Sequence, residues 1–257
     1  MEQLGDILRN LNPIVPEPSP TPKDNETSSG ESEPRTTPNC PNCQDLGWYR
    51  VDVPLGNRAF GEAFRCECMA ELDQRERMDW LRRYCELPYG ALGMKFETFN
   101  VTPGTQQAFE AAQRFGIGDK VFLTLVGDPG VGKTHLAVSV VQAWIKQERP
   151  AKYVHVVELL DDLRRGYGDP NRNYEERLAL YKEVPLLVLD DLGAERDTDW
   201  ALERLDQLID WRYIHRLHTV VTTNCALTSL PKRIASRLLD VRLGEVVALW
   251  GADYRLG

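Results

Sequence analysis

One stretch constrains this chain more than any other: the apolar run Val121-Phe122-Leu123-Thr124-Leu125-Val126 passes directly into Gly127-Asp128-Pro129-Gly130-Val131-Gly132-Lys133-Thr134. The run has the length and β-branched content of a buried strand, and Leu136, Ala137, Val140, Val141 and Trp144 recur just beyond it at helical spacing. Strand, glycine-rich turn and helix in that order make a cradle for phosphate. Glycines let backbone N–H groups turn inward around phosphate oxygens, and the helix presents the positive end of its dipole to them. Lys133 brings charge to the outer phosphates and the Thr134 hydroxyl is a magnesium ligand.

A second apolar strand, Val184-Pro185-Leu186-Leu187-Val188-Leu189, runs into Asp190-Asp191. Beside a phosphate loop such a pair suits a divided task, Asp190 holding the metal through its water shell and Asp191 polarising an attacking water. The alternative is a solvated strand end. A third strand, residues 219–223, ends at Asn224, a polar group placed to pin the water or the terminal phosphate, or a turn residue. The run Pro231-Lys232-Arg233-Ile234-Ala235-Ser236-Arg237 then predicts a helix whose arginines face another subunit, where one would neutralise charge that builds up in phosphoryl transfer.

Beyond residue 102 helical and strand patterns alternate. Helices are predicted over 104–115, 134–147, 158–165, 173–182, 199–216 and 231–239, and strands over 121–126, 153–156, 186–190, 219–223 and 245–249. Strands separated by helices indicate an α/β fold with a parallel sheet covered on both faces. A further helix is predicted over 72–86, with Leu72, Met78, Leu81 and Cys85 inward and Leu87-Pro88 as its stop.

The segments GDPGVGKTH, LLVLDDLGAE, VVTTN and PKRIASRLLD, in this order and spacing, resemble the AAA+ ATPases of the DnaC and DnaI helicase-loader type and the related IstB transposition helpers, from about residue 87 to 257. The resemblance implies a P-loop AAA+ domain with a five-stranded parallel sheet flanked by helices. It implies an ATP-binding set of Gly127, Asp128, Pro129, Gly130, Val131, Gly132, Lys133, Thr134 and His135. It carries over Lys133 and Thr134 as Walker A, Asp190 and Asp191 as Walker B, with magnesium at Thr134 and Asp190, Asn224 as sensor 1, and Arg237 as arginine finger with Arg233 as its rival. Family members often carry Asp-Glu at Walker B, so Asp191 is one methylene shorter. Residues 251–255 look like the family terminus, without a full helical lid. The helical insertion after the second strand corresponds to a single-stranded DNA contact, here residues 158–182 with Arg164, Arg165, Tyr167, Arg172 and Tyr174, interleaved with Asp161, Asp162, Asp169, Glu175 and Glu176. DNA contact and a solvated helical face are both open for it.

Cys40-Pro41-Asn42-Cys43 and Cys66-Glu67-Cys68 are separated by 22 residues. Four thiolates in two close pairs supply the tetrahedral ligand set of a structural zinc, which replaces a core that so small a segment cannot build. Free thiols or a redox centre are the alternative. The closed ligand set leaves no open position for catalysis. The segment resembles the amino-terminal module of DnaC-like and phage loader proteins, which IstB-type helpers generally lack. Trp48, Tyr49 and Phe60 are expected as the module's small core, with a docking surface as the other reading. Cys85 and Cys225 are expected to be buried.

Residues 1–39 hold seven of the 16 prolines and no Phe, Trp or Tyr, and carry half of the net charge of -8, so they are expected to be disordered. Within them Leu4, Ile7, Leu8 and Leu11 would line one side of a short helix, either frayed or docking a partner. The expected organisation is thus a tail (1–39), a zinc module with its helix (40–86) and the AAA+ domain (87–257). The start lacks a basic, apolar leader and no run is long enough to span a bilayer, which predicts a cytoplasmic chain with no membrane partner. The leading function is an ATP-dependent loader of a hexameric replicative helicase that acts on single-stranded DNA and assembles with ATP into a homo-oligomer, with ATP, Mg2+ and Zn2+ as cofactors. The alternatives are a transposition helper ATPase and a nucleotide-switched zinc adaptor with negligible hydrolysis.

Overall fold

The computed structural model describes residues 39–166, 174–194 and 198–254. The stripe of Leu4, Ile7, Leu8 and Leu11, the proline-rich stretch, and Tyr167, Asp169, Arg172 and Arg255 lie outside the described residues. The chain divides into two units, residues 1–46 and 47–257. In the first, the described part is a turn carrying Cys40 and Cys43. The Asp45 carboxylate accepts from the backbone N–H groups of Asn39 (3.0 Å) and Cys40 (2.9 Å) and Leu46 N–H donates to Cys43 O (3.0 Å), so the turn closes on itself.

In the second unit two short antiparallel strands, β1 (Trp48–Tyr49) and β2 (Phe64–Arg65), are followed by five longer ones, β3 (Phe122–Gly127), β4 (Ala151–His155), β5 (Leu186–Asp190), β6 (His218–Thr223) and β7 (Gly244–Leu249). The five form the expected parallel sheet, in the order β4-β5-β6-β3-β7. The register sets Val126 beside Thr223, Leu189 beside Val221 and His155 beside Asp190, so the carboxyl ends of β3, β4, β5 and β6 share one edge. Ligands of open parallel sheets bind at that edge.

The strands alternate between two cores, as their pleat requires. Leu186 and Val188 face one, together with α1 (Ala70–Cys85), α2 (Gln106–Arg114) and α3 (Lys133–Lys146). Leu187 and Leu189 face the other, with α4 (Val156–Gly166), α5 (Tyr174–Glu183), α6 (Asp199–Ile214) and α7 (Lys232–Leu238). Helix α1 stops at Glu86 in a left-handed conformation (φ 58°), just before Leu87-Pro88. It packs through Leu81 and Cys85, whereas Leu72 is exposed, contrary to expectation. At about 100° per residue Leu72 lies roughly 120° around the helix from Met78, off the stripe. Helix α4 begins directly at Val156, with no loop after β4. Cys85 is buried as expected, and Cys225 is half-buried.

Two aromatics of the β1–β2 segment also depart from expectation. Trp48 and Phe60 are about half exposed (50% and 52%), so they are not a core. A ladder of two residues per strand is too small to bury them by itself; the Arg65 guanidinium lies 5.0 Å from the Trp48 ring. Tyr49 packs on Phe64 at 6.0 Å.

Arg212, on α6, is wholly buried and no periodicity argument pointed to it. Its Nε donates to Thr219 Oγ1 (2.8 Å), Nη1 to the carbonyls of Tyr181 (2.9 Å), Lys182 (3.1 Å) and Val184 (2.9 Å), and Nη2 to His218 O (2.5 Å). One planar fork thereby ties the end of α5 to the start of β6. Burial pushes its guanidinium down to about 9. Neighbouring His218 sits edge-on to Phe115 and Trp144, and burial, aided by Arg149 and Arg212, lowers its pKa from 6.5 to about 4. Between those values the unfolded chain binds a proton that the folded chain refuses, so stability falls as pH drops from about 6.5 toward 4. Thermal unfolding at pH 7 and pH 5 should show a smaller acid loss in His218→Gln than in the parent; equal losses would remove His218 from the acid limb.

Candidate nucleotide site

The glycines of the loop have specific geometric reasons. Gly130 and Gly132 take φ of 81° and 102°, a region that side chains disfavour. A Cβ on Gly132 would fall 2.8 Å from the Phe99 ring, and one on Gly130 would fall 1.8 Å from Asp253 Oδ1. Tyr254 N–H also donates to Gly130 O (3.2 Å), so the chain after β7 lies on the loop. Lys133 is buried, its Nζ donating to Gly127 O (2.8 Å) and Asp128 O (2.7 Å), which holds the charge within the loop's own turn. His135 places its Nε2 3.0 Å from Lys95 O and its ring against Phe99, so its side chain anchors the segment before α2. Its backbone remains in the first turn of α3.

Thr134 meets Asp190 directly, its Oγ1 3.1 Å from both carboxylate oxygens. Asp190 is wholly buried and accepts also from Thr222 Oγ1 (2.6 Å, to Oδ1) and Tyr153 OH (2.6 Å, to Oδ2), with His155 Nδ1 at 3.5 Å. Burial of a carboxylate is tolerated only with such donors around it. A hydroxyl and a carboxylate so placed fit a hydrated magnesium ion. Asp191 takes a left-handed φ of 59°, its N–H donating to Thr222 Oγ1 (2.9 Å), and Asn224 Nδ2 donates to Asp191 Oδ1 (3.2 Å). The expected residues Lys133, Thr134, Asp190, Asp191 and Asn224 are thus linked at one sheet edge. Tyr153, His155 and Thr222 were missed; for His155 and Thr222 the hint lay in their place near the carboxyl ends of predicted strands.

Arg237 is held within its own chain. Its Nε donates to Asp210 on α6 (2.6 Å) and its side chain is only 19% exposed, whereas Arg233, paired with Asp206 (3.0 Å), is 68% exposed. In the insertion, Arg164 lies over the Trp200 ring at 5.0 Å and Tyr174 OH accepts from Arg204 (3.0 Å). Arg165 and Arg177 share a cleft of about 360 Å³ with Glu86, Glu158, Asp161 and Asp162.

Residues 73–255 match the sequence model of the IstB-like ATP binding protein. The chain belongs to the IstB-like ATP-binding family. Within reach of this IstB-like chain is the replicative helicase loader DnaI of Bacillus subtilis (strain 168), 27% identical over 192 residues, a match covering 71% of this chain and 61% of DnaI. The replicative helicase loader DnaC of Escherichia coli (strain K12) is 22% identical over 210 residues, covering 80% of this chain and 81% of DnaC. A crystal structure of DnaI superposes with a TM-score of 0.55 at 26% identity, covering 66% of this chain and 95% of that one. The IstB-like chain is therefore an AAA+-type ATP-binding protein; Cys40 and Cys43 stand in the first unit and Cys66 and Cys68 in the second, and all four are of a residue type that binds zinc. Among the described residues, no helix is long and apolar enough to cross a membrane.

Proposed function

We propose that this chain is an ATP-dependent loader of a hexameric replicative helicase that hydrolyses ATP and acts on single-stranded DNA in the cytoplasm. The observation that carries the hydrolytic part is the chain of contacts Thr134–Asp190–Thr222–Asp191–Asn224, which ties the loop's hydroxyl to the acidic pair and the pair to the tip of the next strand. In this reading the amides of residues 127–135 and Lys133 grip the phosphates, and Thr134 and Asp190 hold magnesium. Asp191 polarises the attacking water while Asn224 fixes that carboxylate. A homo-oligomer brings an arginine to the neighbouring site. Arg237 takes that role if Asp210 presents it, and exposed Arg233 takes it if Asp210 keeps Arg237 at home. Zinc supplies the fold of residues 40–68, and the half-exposed Trp48 and Phe60 then face the helicase. Support for helicase loading comes from the two loaders that match the chain. The family match itself favours a second reading, a transposition helper ATPase.

Capture of the host's hexameric helicase separates the two. A parallel sample lacking residues 1–38 keeps Leu81 and Cys85, which belong to the core. The helicase is expected to be retained by the full chain with ATP and less with ADP. No retention in any nucleotide state, together with capture of a transposase, would replace the loader by the transposition helper.

A further inference from the structure

The arrangement around Asp190 assigns work to a side chain that lies in neither the loop nor the acidic pair. Tyr153 is on edge strand β4, opposite Val188 in register, and its ring is buried in the same core as α3. Its hydroxyl reaches past the strand end to Asp190 Oδ2 at 2.6 Å and also lies 3.2 Å from His155 Nε2. Phenylalanine would fill that core space equally well, so the packing does not explain the hydroxyl. Thr134 makes longer bonds, 3.1 Å to each carboxylate oxygen, and must turn its oxygen toward a metal to serve as ligand. When it does, Asp190 keeps its orientation through the two short bonds, Thr222 on Oδ1 and Tyr153 on Oδ2. In the short bond to Asp190 the Tyr153 O–H is the donor and the carboxylate oxygen the acceptor. With both oxygens engaged by protein hydroxyls, Asp190 is suited to reach a metal through the metal's water shell.

We propose that Tyr153 is a positioning residue whose hydroxyl fixes the Asp190 carboxylate in the orientation that holds magnesium with bound ATP. The inference rests on the reading of Thr134 and Asp190 as the magnesium side of a nucleotide site. Residues that orient a metal-binding group are worth roughly 10- to 100-fold in metal affinity or activity, and a single lost hydrogen bond lies at the low end.

The test is binding of a fluorescent ATP analogue by the full chain, titrated with Mg2+, for the parent and Tyr153→Phe. The midpoint in Mg2+ is expected to rise about 10-fold in the variant, with magnesium-free affinity unchanged and the unfolding temperature close to the parent's. A midpoint that does not move overturns the proposal, as does an equal loss of magnesium-free binding. A large fall in unfolding temperature also overturns it, since the hydroxyl would then be a structural bond. If the parent itself binds the analogue without regard to Mg2+, the nucleotide-site reading fails; a magnesium-dependent parent with an indistinguishable variant sinks only the role of Tyr153.

Discussion

Lys133→Ala should lower steady-state ATP hydrolysis by about 100-fold or more, the size of effect that follows loss of a preorganised charge facing a reacting phosphate. The ammonium is buried and held by Gly127 O and Asp128 O, within the loop that would take the phosphates. Two candidate substitutes are already engaged: Arg237 is tied to Asp210, and Arg212 on α6 is wholly buried among its own partners. Phosphate release with and without single-stranded DNA, read beside binding of a fluorescent ATP analogue, checks the expectation. A variant that keeps more than about a fifth of the parent rate would mean that the loop does not carry the reaction.

Arg212→Leu should destabilise the protein by about 4 kcal/mol, because removing one side of a buried charged network leaves the other side unpaired. Four carbonyls and the Thr219 hydroxyl lose a donor at once, and leucine cannot reach any of them. At roughly 2–4 °C per kcal/mol for a domain of this size, the unfolding midpoint should drop by about 10 °C. Arg212→Lys keeps a charge but not the planar fork, and should fall between leucine and the parent. Denaturant unfolding of all three chains decides it. A loss below about 1 kcal/mol in the leucine variant would show that the carbonyls find water or rearrange, and that the tie between α5 and β6 is dispensable.

The two predictions differ in how visible their residues were beforehand. Lys133 stands in an octapeptide whose function follows from contiguous backbone geometry, and Asp190-Asp191 and Asn224 stand at the ends of apolar runs, so each was legible from a few neighbouring residues. Arg212 interrupts the apolar side of α6 with a charge, and a helical pattern alone places such a residue in water. Acceptors converging from α5, from Val184 just before β5 and from β6 make its burial possible. Trp48 and Phe60 erred in the opposite direction: aromatic residues read as core, but beside a ladder of two short strands both stay about half exposed.

The sequence by itself determined the phosphate loop, the acidic pair, the alternation of strands and helices, and the paired cysteines, since each depends on residues close together along the chain. What surrounds Asp190 was decided by the tertiary structure. Tyr153, Thr134 and Thr222 come from β4, α3 and β6, and they meet on one carboxylate because the strands order as β4-β5-β6-β3-β7 in one register. Strand order and register arise from packing both faces of the sheet at once, and no local pattern encodes which hydroxyl will stand beside a given carboxylate.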